Sequence, residues 1–218
     1  MFFGIVCTNI TCSCARSPIV TIIGSKDSTG TKYADRVQFS PQEKIPLEFI
    51  NDLHIYVREL LCEFSNYNSY LPHKLILYRA GIDDGSFEKI LDNKLPAIRQ
   101  ACQGTVIDTD IVLRNGFDFY LNSHTTIQGT SQPTFYQVLY DDIGFTSDDI
   151  QQLTYYLCHT DVRCTNVIPV PAPIHYATRY VTSDENNSTT TNDSNFGIEE
   201  PALAYVLDVW DNNLKYFH

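Results

Sequence analysis

The fold class this sequence predicts is α/β, with a mixed central β-sheet flanked by helices, and three observations carry that reading. Short apolar and β-branched runs mostly precede amphipathic segments of helical period. Polar or proline-bearing links separate these segments. The 218 residues are 43% hydrophobic and 12% aromatic, enough to fill one hydrophobic core.

Residues 2–7 and 18–24 read as strands on either side of a link rich in Cys, Ser, Thr and Asn. A third strand is expected over 32–39, where Tyr33, Val37 and Phe39 fall mostly at even spacing. A long helix follows over about 46–64, its apolar positions Leu47, Ile50, Leu53, Val57, Leu60, Leu61 and Phe64 recurring at three and four. Lys74-Leu75-Ile76-Leu77-Tyr78 is a buried strand leading through a glycine-bearing turn into a helix over 84–102. The buried stripe of that helix is Ile90, Leu91, Leu95, Ile98 and Cys102. Strands are expected near 117–122 and 134–140. Thr146 with Asp149 three residues on marks a capping-box start for a helix over 146–160. A helix over 172–182 follows Pro169, Pro171 and Pro173. Residues 183–198 read as a mobile polar loop, and 200–214 as a closing helix. Tyr136, Tyr140, Tyr155 and Tyr156 are expected to pack the core, and His124 and His159 to be structural histidines.

The net charge is −11 and the pI about 4.8, which argues against strong nonspecific phosphate binding. Five acidic residues within 184–200, with no Lys or Arg there, account for part of it and leave −6 for the remainder. No stretch approaches the ~20 apolar residues of a membrane span. The apolar start, Met1 to Cys7, lacks the positive region and cleavage site of a signal peptide and reads as a core strand. Seven cysteines, an odd and scattered set, suit reduced thiols. A zinc site at Cys7, Cys12 and Cys14 is the sharper alternative, but no downstream Cys/His pair accompanies it.

A strand ending in a glycine-bearing turn at a sheet's carboxyl edge is where α/β proteins place chemistry. Here that turn is Tyr78-Arg79-Ala80-Gly81, followed by Asp83, Asp84, Gly85 and Phe87. Further segments recur in order: Ile22-Ile23-Gly24-Ser25 with Asp27, Val57-Arg58-Glu59-Leu60-Leu61, Ala97-Ile98-Arg99 with Ala101-Cys102, and Gly104-Thr105-Val106 with Asp108-Thr109. Phe117-Asp118-Phe119-Tyr120-Leu121, Ser123-His124, Ile127-Gln128-Gly129-Thr130-Ser131, Leu157-Cys158-His159-Thr160, Val162-Arg163-Cys164-Thr165 and Pro171-Ala172-Pro173 with Tyr176-Ala177 complete the series. Together, over about 1–180 and again at Tyr216-Phe217, they resemble the PIWI domain of the Argonaute family.

The resemblance implies an RNase H-like fold. It assigns 1–182 to a PIWI-like domain, with 183–198 as a loop and 199–218 as the C-terminal helix and tail of the same domain. Slicing members hold two divalent metals with an Asp, Glu, Asp and His (or Asp) set, because two Mg²⁺ must stabilise both attacking and leaving oxygens. Carried over, the first Asp falls on Val6, the second on Ala80 and the closing His on Thr178. Glu48 alone is retained, reached through a short insertion around 41–46. The expectation is therefore a non-enzyme without cofactors, truncated before the PIWI domain and lacking the domain that grips a guide's 5′ phosphate.

Two other readings stay open. One is a metal-dependent endoribonuclease with a rebuilt Mg²⁺ site from Glu48, Asp83 or Asp84, and His175. Against it, Asp83 and Asp84 suit a helix N-terminus and His175 suits packing or a phosphate. The other is a protein-interaction module or decoy without RNA. Residues matching the family's guide-facing surface are His124, Gln128, Thr130, Ser131 and Arg163, while Gln132, Asn166 and Ser183 are neutral where relatives tend to be basic. The implied partners are a small guide or target RNA, bound weakly, and silencing-complex proteins, with no membrane. The implied location is the cytoplasm, or the nucleus. Finally, only Gln103 separates Cys102 from Gly104, where relatives carry several dozen residues that include a core strand. Its loss predicts unpaired or crowded neighbouring strand edges.

Overall fold

The computed structural model describes residues 1–7, 19–39, 52–80, 87–103, 117–124, 133–141, 143–185 and 202–208. Along the chain come β1 (Phe2–Cys7), β2 (Ile19–Ser25), β3 (Tyr33–Phe39), α1 (Leu53–Asn68), β4 (Lys74–Ala80) and α2 (Phe87–Gln103). They are followed by β5 (Asp118–Leu121), β6 (Thr134–Asp141), α3 (Ser147–Leu157), α4 (Ala172–Glu185) and β7 (Ala202–Asp208). The strands form one seven-stranded sheet in the order β3-β2-β1-β4-β7-β6-β5. Pairs β1–β4 and β6–β7 are parallel, and β1–β2, β2–β3, β4–β7 and β5–β6 antiparallel.

Period-two alternation divides the central strands between two apolar layers. Phe3 and Ile5 of β1, Ile22 of β2, and Leu75 and Leu77 of β4 share one cluster with Leu53, Val57, Leu60 and Leu61 of α1 and with Leu95 and Ile98 of α2. Val6, Ile23, Ile76, Tyr78 and Ala80 share the opposite cluster with Ile150 and Leu157 of α3 and with Ile174 and Ala177 of α4. Helices on both faces explain why β1 and β4 read as near-continuous apolar runs. Each aliphatic side chain so enclosed contributes on the order of 1.5–3 kcal/mol.

Close approach, not only apolar area, fixes α4 on the sheet. A Cβ placed on Gly4 would lie 2.3 Å from the Pro173 carbonyl oxygen. Glycine is what lets the start of α4 rest directly on β1. At α3 the capping box forms as its sequence indicates: the Asp149 N–H donates to Thr146 Oγ1, and Asp149 Oδ2 accepts from the Thr146 N–H.

The structure corrects several expectations. The closing helix over 200–214 is absent from 202–208, which form strand β7. The residues of 200–214 outside 202–208 lie outside the described residues. The strand edges expected to be unpaired or crowded after the shortened connection at Gln103 are, among the described residues, paired through β7, which lies between β4 and β6. Helix α4 runs on to Glu185, three residues into the presumed loop, and 186–198 lie outside the described residues. Helix α1 continues to Asn68, while residues 46–51 lie outside the described residues. Tyr136 and Tyr140 are buried, but Tyr155 and Tyr156 are exposed on α3. Among the described residues no helix is long and apolar enough to cross a membrane.

Candidate functional site

At the carboxyl ends of the adjacent parallel strands β1 and β4, Val6 and Ala80 are register partners. Both are buried, at 8% and 4% exposure, in the layer beneath α4. Their side chains are hydrocarbon and offer no donor to a cation. Thr178, on α4, donates its hydroxyl to the Ile174 carbonyl one turn back at 2.9 Å. Such back-bonding turns the hydroxyl onto its own helix. Hard divalent cations need clustered oxygen ligands, and these three residues do not fit such a centre. Glu48, Asp83 and Asp84 lie outside the described residues. Beside Ala80, the Arg79 side chain is buried, with Nη2 4.0 Å from Cys7 Sγ.

A second cluster lies where the loop after α3 meets α4. Asp161, 6% exposed, accepts from the Arg163 N–H and the Tyr176 hydroxyl through Oδ1, each at 2.9 Å. Its Oδ2 is 2.6 Å from His175 Nδ1 and 3.5 Å from Cys164 Sγ. Burial pushes the Asp161 carboxyl up, but the bonds from Arg163, Tyr176 and His175 outweigh it and hold the group below its ordinary range. Burial, with the neighbouring carboxylate, raises the Cys164 thiol. The Tyr176 hydroxyl is pushed up to about 12, by burial first and then by Asp161.

The Arg163 guanidinium stacks over the Tyr176 ring, 4.9 Å from its centroid. Arg163 and Tyr176 also line a pocket of about 230 Å³ with Lys32, Thr31 and Asp35 of the β2–β3 hairpin. Arg163 and Lys32 thus border this concave surface together with the acidic Asp35, and the Lys32 ammonium is bonded to the Tyr67 hydroxyl at 2.6 Å. Of the guide-facing set, Arg163 is exposed on this surface, while His124 is half-buried with its Nδ1 enclosed. Gln128, Thr130 and Ser131 lie outside the described residues. His159 Nδ1 is bonded to the Tyr155 carbonyl at 2.8 Å, a local structural contact. Cys7 is buried on β1, and Cys12 and Cys14 lie outside the described residues. Sequence reasoning missed Asp161. Its signal is the Asp-x-x-Cys spacing ahead of a proline-rich bend that returns His175 to it.

The sheet order, the two helical layers and the strand-end position together define an RNase H-like α/β protein. The family model described as "Piwi domain" matches residues 1–103 and 102–189, and the chain belongs to that family. The two matched pieces meet at 102–103, the point of the shortened connection. Among solved structures, the chain is similar to Kluyveromyces polysporus Argonaute with a guide RNA, at 21% identity and TM-score 0.72, over 83% of this chain and 27% of that one. It is similar to the C-terminal lobe of a budding yeast Argonaute, at 19% identity and TM-score 0.70, over 92% and 51%. It is also similar to Drosophila Piwi, at 22% identity and TM-score 0.62, over 83% and 29%. The chain therefore spans between about a quarter and a half of the proteins it matches.

Proposed function

We propose that this chain is a non-catalytic, Argonaute-like PIWI-domain protein that binds RNA and takes part in RNA-mediated gene silencing. The observation that carries the non-catalytic reading is the pairing of Val6 with Ala80. If the family's two aspartates correspond to these positions, the strand ends that would hold two metals are a patch of apolar core. One retained carboxylate, Glu48, does not hold two Mg²⁺. Arg163, His124, Gln128, Thr130 and Ser131 are the residues that would contact phosphate and ribose. With 15 basic against 26 acidic residues, affinity for a guide or target RNA is low and falls steeply with salt. Silencing-complex proteins are the implied protein partners, in the cytoplasm or nucleus.

The test is incubation of the purified chain with a guide RNA, a complementary target RNA and Mg²⁺ or Mn²⁺. No cleaved target is expected, and cleavage abolished by Glu48→Ala would overturn the reading in favour of a rebuilt endoribonuclease. Filter binding across a salt series is expected to show RNA retention at low ionic strength, reduced in Arg163→Ala. Absence of binding even there would favour a protein-interaction module instead.

A further inference from the structure

The geometry points to a metal site of the zinc class formed by Asp161, Cys164 and His175, built from donors other than the β1–β4 strand ends. One carboxylate oxygen, one sulfur and one imidazole nitrogen lie within 4.8 Å of one another, the one such group among the described residues.

Asp161 Oδ2 is the hub of the three. In a tetrahedral zinc centre, bond lengths near 2.0 Å to O and N and 2.3 Å to S place O and S about 3.5 Å apart and O and N about 3.3 Å apart. The observed Oδ2–Sγ separation of 3.5 Å already meets that spacing. The observed Oδ2–Nδ1 distance of 2.6 Å requires the imidazole to withdraw by roughly 0.7 Å. A metal entering the cluster displaces the Cys164 thiol proton, which leaves to solvent as the metal–sulfur bond forms, and takes His175 as the neutral imidazole with its proton on Nε2, so that the Nδ1 lone pair faces the metal.

The surroundings already fix the ligands. The Arg163 N–H and the Tyr176 hydroxyl occupy Asp161 Oδ1, leaving Oδ2 as a single directed donor, as outer partners of metal-bound carboxylates do. Cys164 is anchored by its own N–H to the Asp161 carbonyl at 3.3 Å, and His175 by its N–H to Pro171 at 3.0 Å. Asp161 is buried whereas Cys164 and His175 are half-buried, so a fourth position opens outward to water or another ligand. The mixed O, S and N set selects Zn²⁺ or Co²⁺ over Mg²⁺ and Ca²⁺, which require oxygen.

The test uses the whole chain, reduced and freed of metal, and needs no RNA, so its outcome is independent of the proposed function. Titration with Co²⁺ is expected to give a thiolate-to-cobalt charge-transfer band at one equivalent. The band should vanish in Cys164→Ser and persist in Cys62→Ser. Tyr176→Phe should weaken Co²⁺ binding by about 10-fold or more. Independently of any variant, Zn²⁺ should protect Cys164 from iodoacetamide while the exposed Cys62 stays reactive, as mapped by mass spectrometry. Unchanged alkylation of Cys164 with Zn²⁺ present would overturn the assignment, as would protection confined to Cys7, Cys12 and Cys14.

Discussion

Val6 and Ala80 are Cα partners across the parallel β1–β4 pair, and both side chains lie in the apolar layer under α4. A carboxylate placed there enters the apolar cluster that holds Ile23, Ile76, Tyr78 and Ala177. Ala80→Asp is expected to lower stability by about 2–4 kcal/mol, because a buried polar group without a partner keeps its desolvation cost. Urea unfolding measures this. A neutral result would show that the strand ends are open to water and would weaken the argument from their apolar character.

Tyr78 and Thr154 give a directional test of the same layer. Thr154 donates its one hydroxyl proton to the Ile150 carbonyl at 2.6 Å. The 3.0 Å contact with Tyr78 must therefore run from the tyrosine hydroxyl to Thr154 Oγ1. Tyr78→Phe leaves only a spare lone pair and should cost about 1 kcal/mol. Thr154→Val strands a fully buried phenol donor and should cost about 2 kcal/mol. Chemical denaturation of the two variants decides it, and the reverse order would mean the bond runs the other way.

Gly4→Ala tests how α4 is seated. The added methyl would meet the Pro173 carbonyl oxygen and carbon at 2.3 and 2.4 Å and the Ile174 nitrogen at 2.9 Å. Backbone yields poorly, so the helix must shift away from β1, at about 3 kcal/mol. A thermal melt near that of the parent would show that α4 is not held at this distance.

Acid stability carries a defined sign at the β2–β3 hairpin. Burial raises the Asp27 carboxyl, but donors from the Thr29 and Thr31 hydroxyls and the Lys32 and Thr31 N–H groups outweigh it, so its folded pKa is below 3.8. A depressed carboxylate contributes stability that is present above the unfolded value and is lost as pH falls through the folded one. Asp27→Asn removes that titration. Its stability should therefore fall less steeply than the parent's as pH drops below about 4, as read by urea midpoints at successive pH values.

How far the sequence reaches is visible at particular residues. Leu75, Ile76 and Leu77 declared β4 because a strand covered on both faces is apolar throughout. Thr146 and Asp149 declared α3 because a capping box is local chemistry. The triad at Asp161 was only partly legible: Asp161 and Cys164 share one local turn, but His175 reaches them through a bend set by tertiary packing. Residues 202–208 were misread for a related reason: a short apolar run suits a buried helix or a buried strand equally. What decides between them is the place between β4 and β6, which is a property of the whole sheet.

That strand supports the sharpest prediction. Ala204 of β7 is paired with Tyr78 on one side and Val138 on the other. With partners along both edges, each backbone N–H of β7 points toward a neighbouring strand. The register shift between Val138 and Tyr140 lies beside Ala204 but on the β6 strand. Proline at Ala204 still removes an N–H from an unbulged strand paired along both edges, where its ring is poorly tolerated. Ala204→Pro is expected to cost about 3 kcal/mol or more. Ending the chain before Ala202 exposes facing edges of β4 and β6 and should give aggregation. Native-state hydrogen exchange supplies the complementary readout: amides of 203–207 should exchange only through global unfolding. Fast exchange there, with a silent proline, would show that the sheet is completed without this segment. The antiparallel pairing of β7 with β4 would then be wrong.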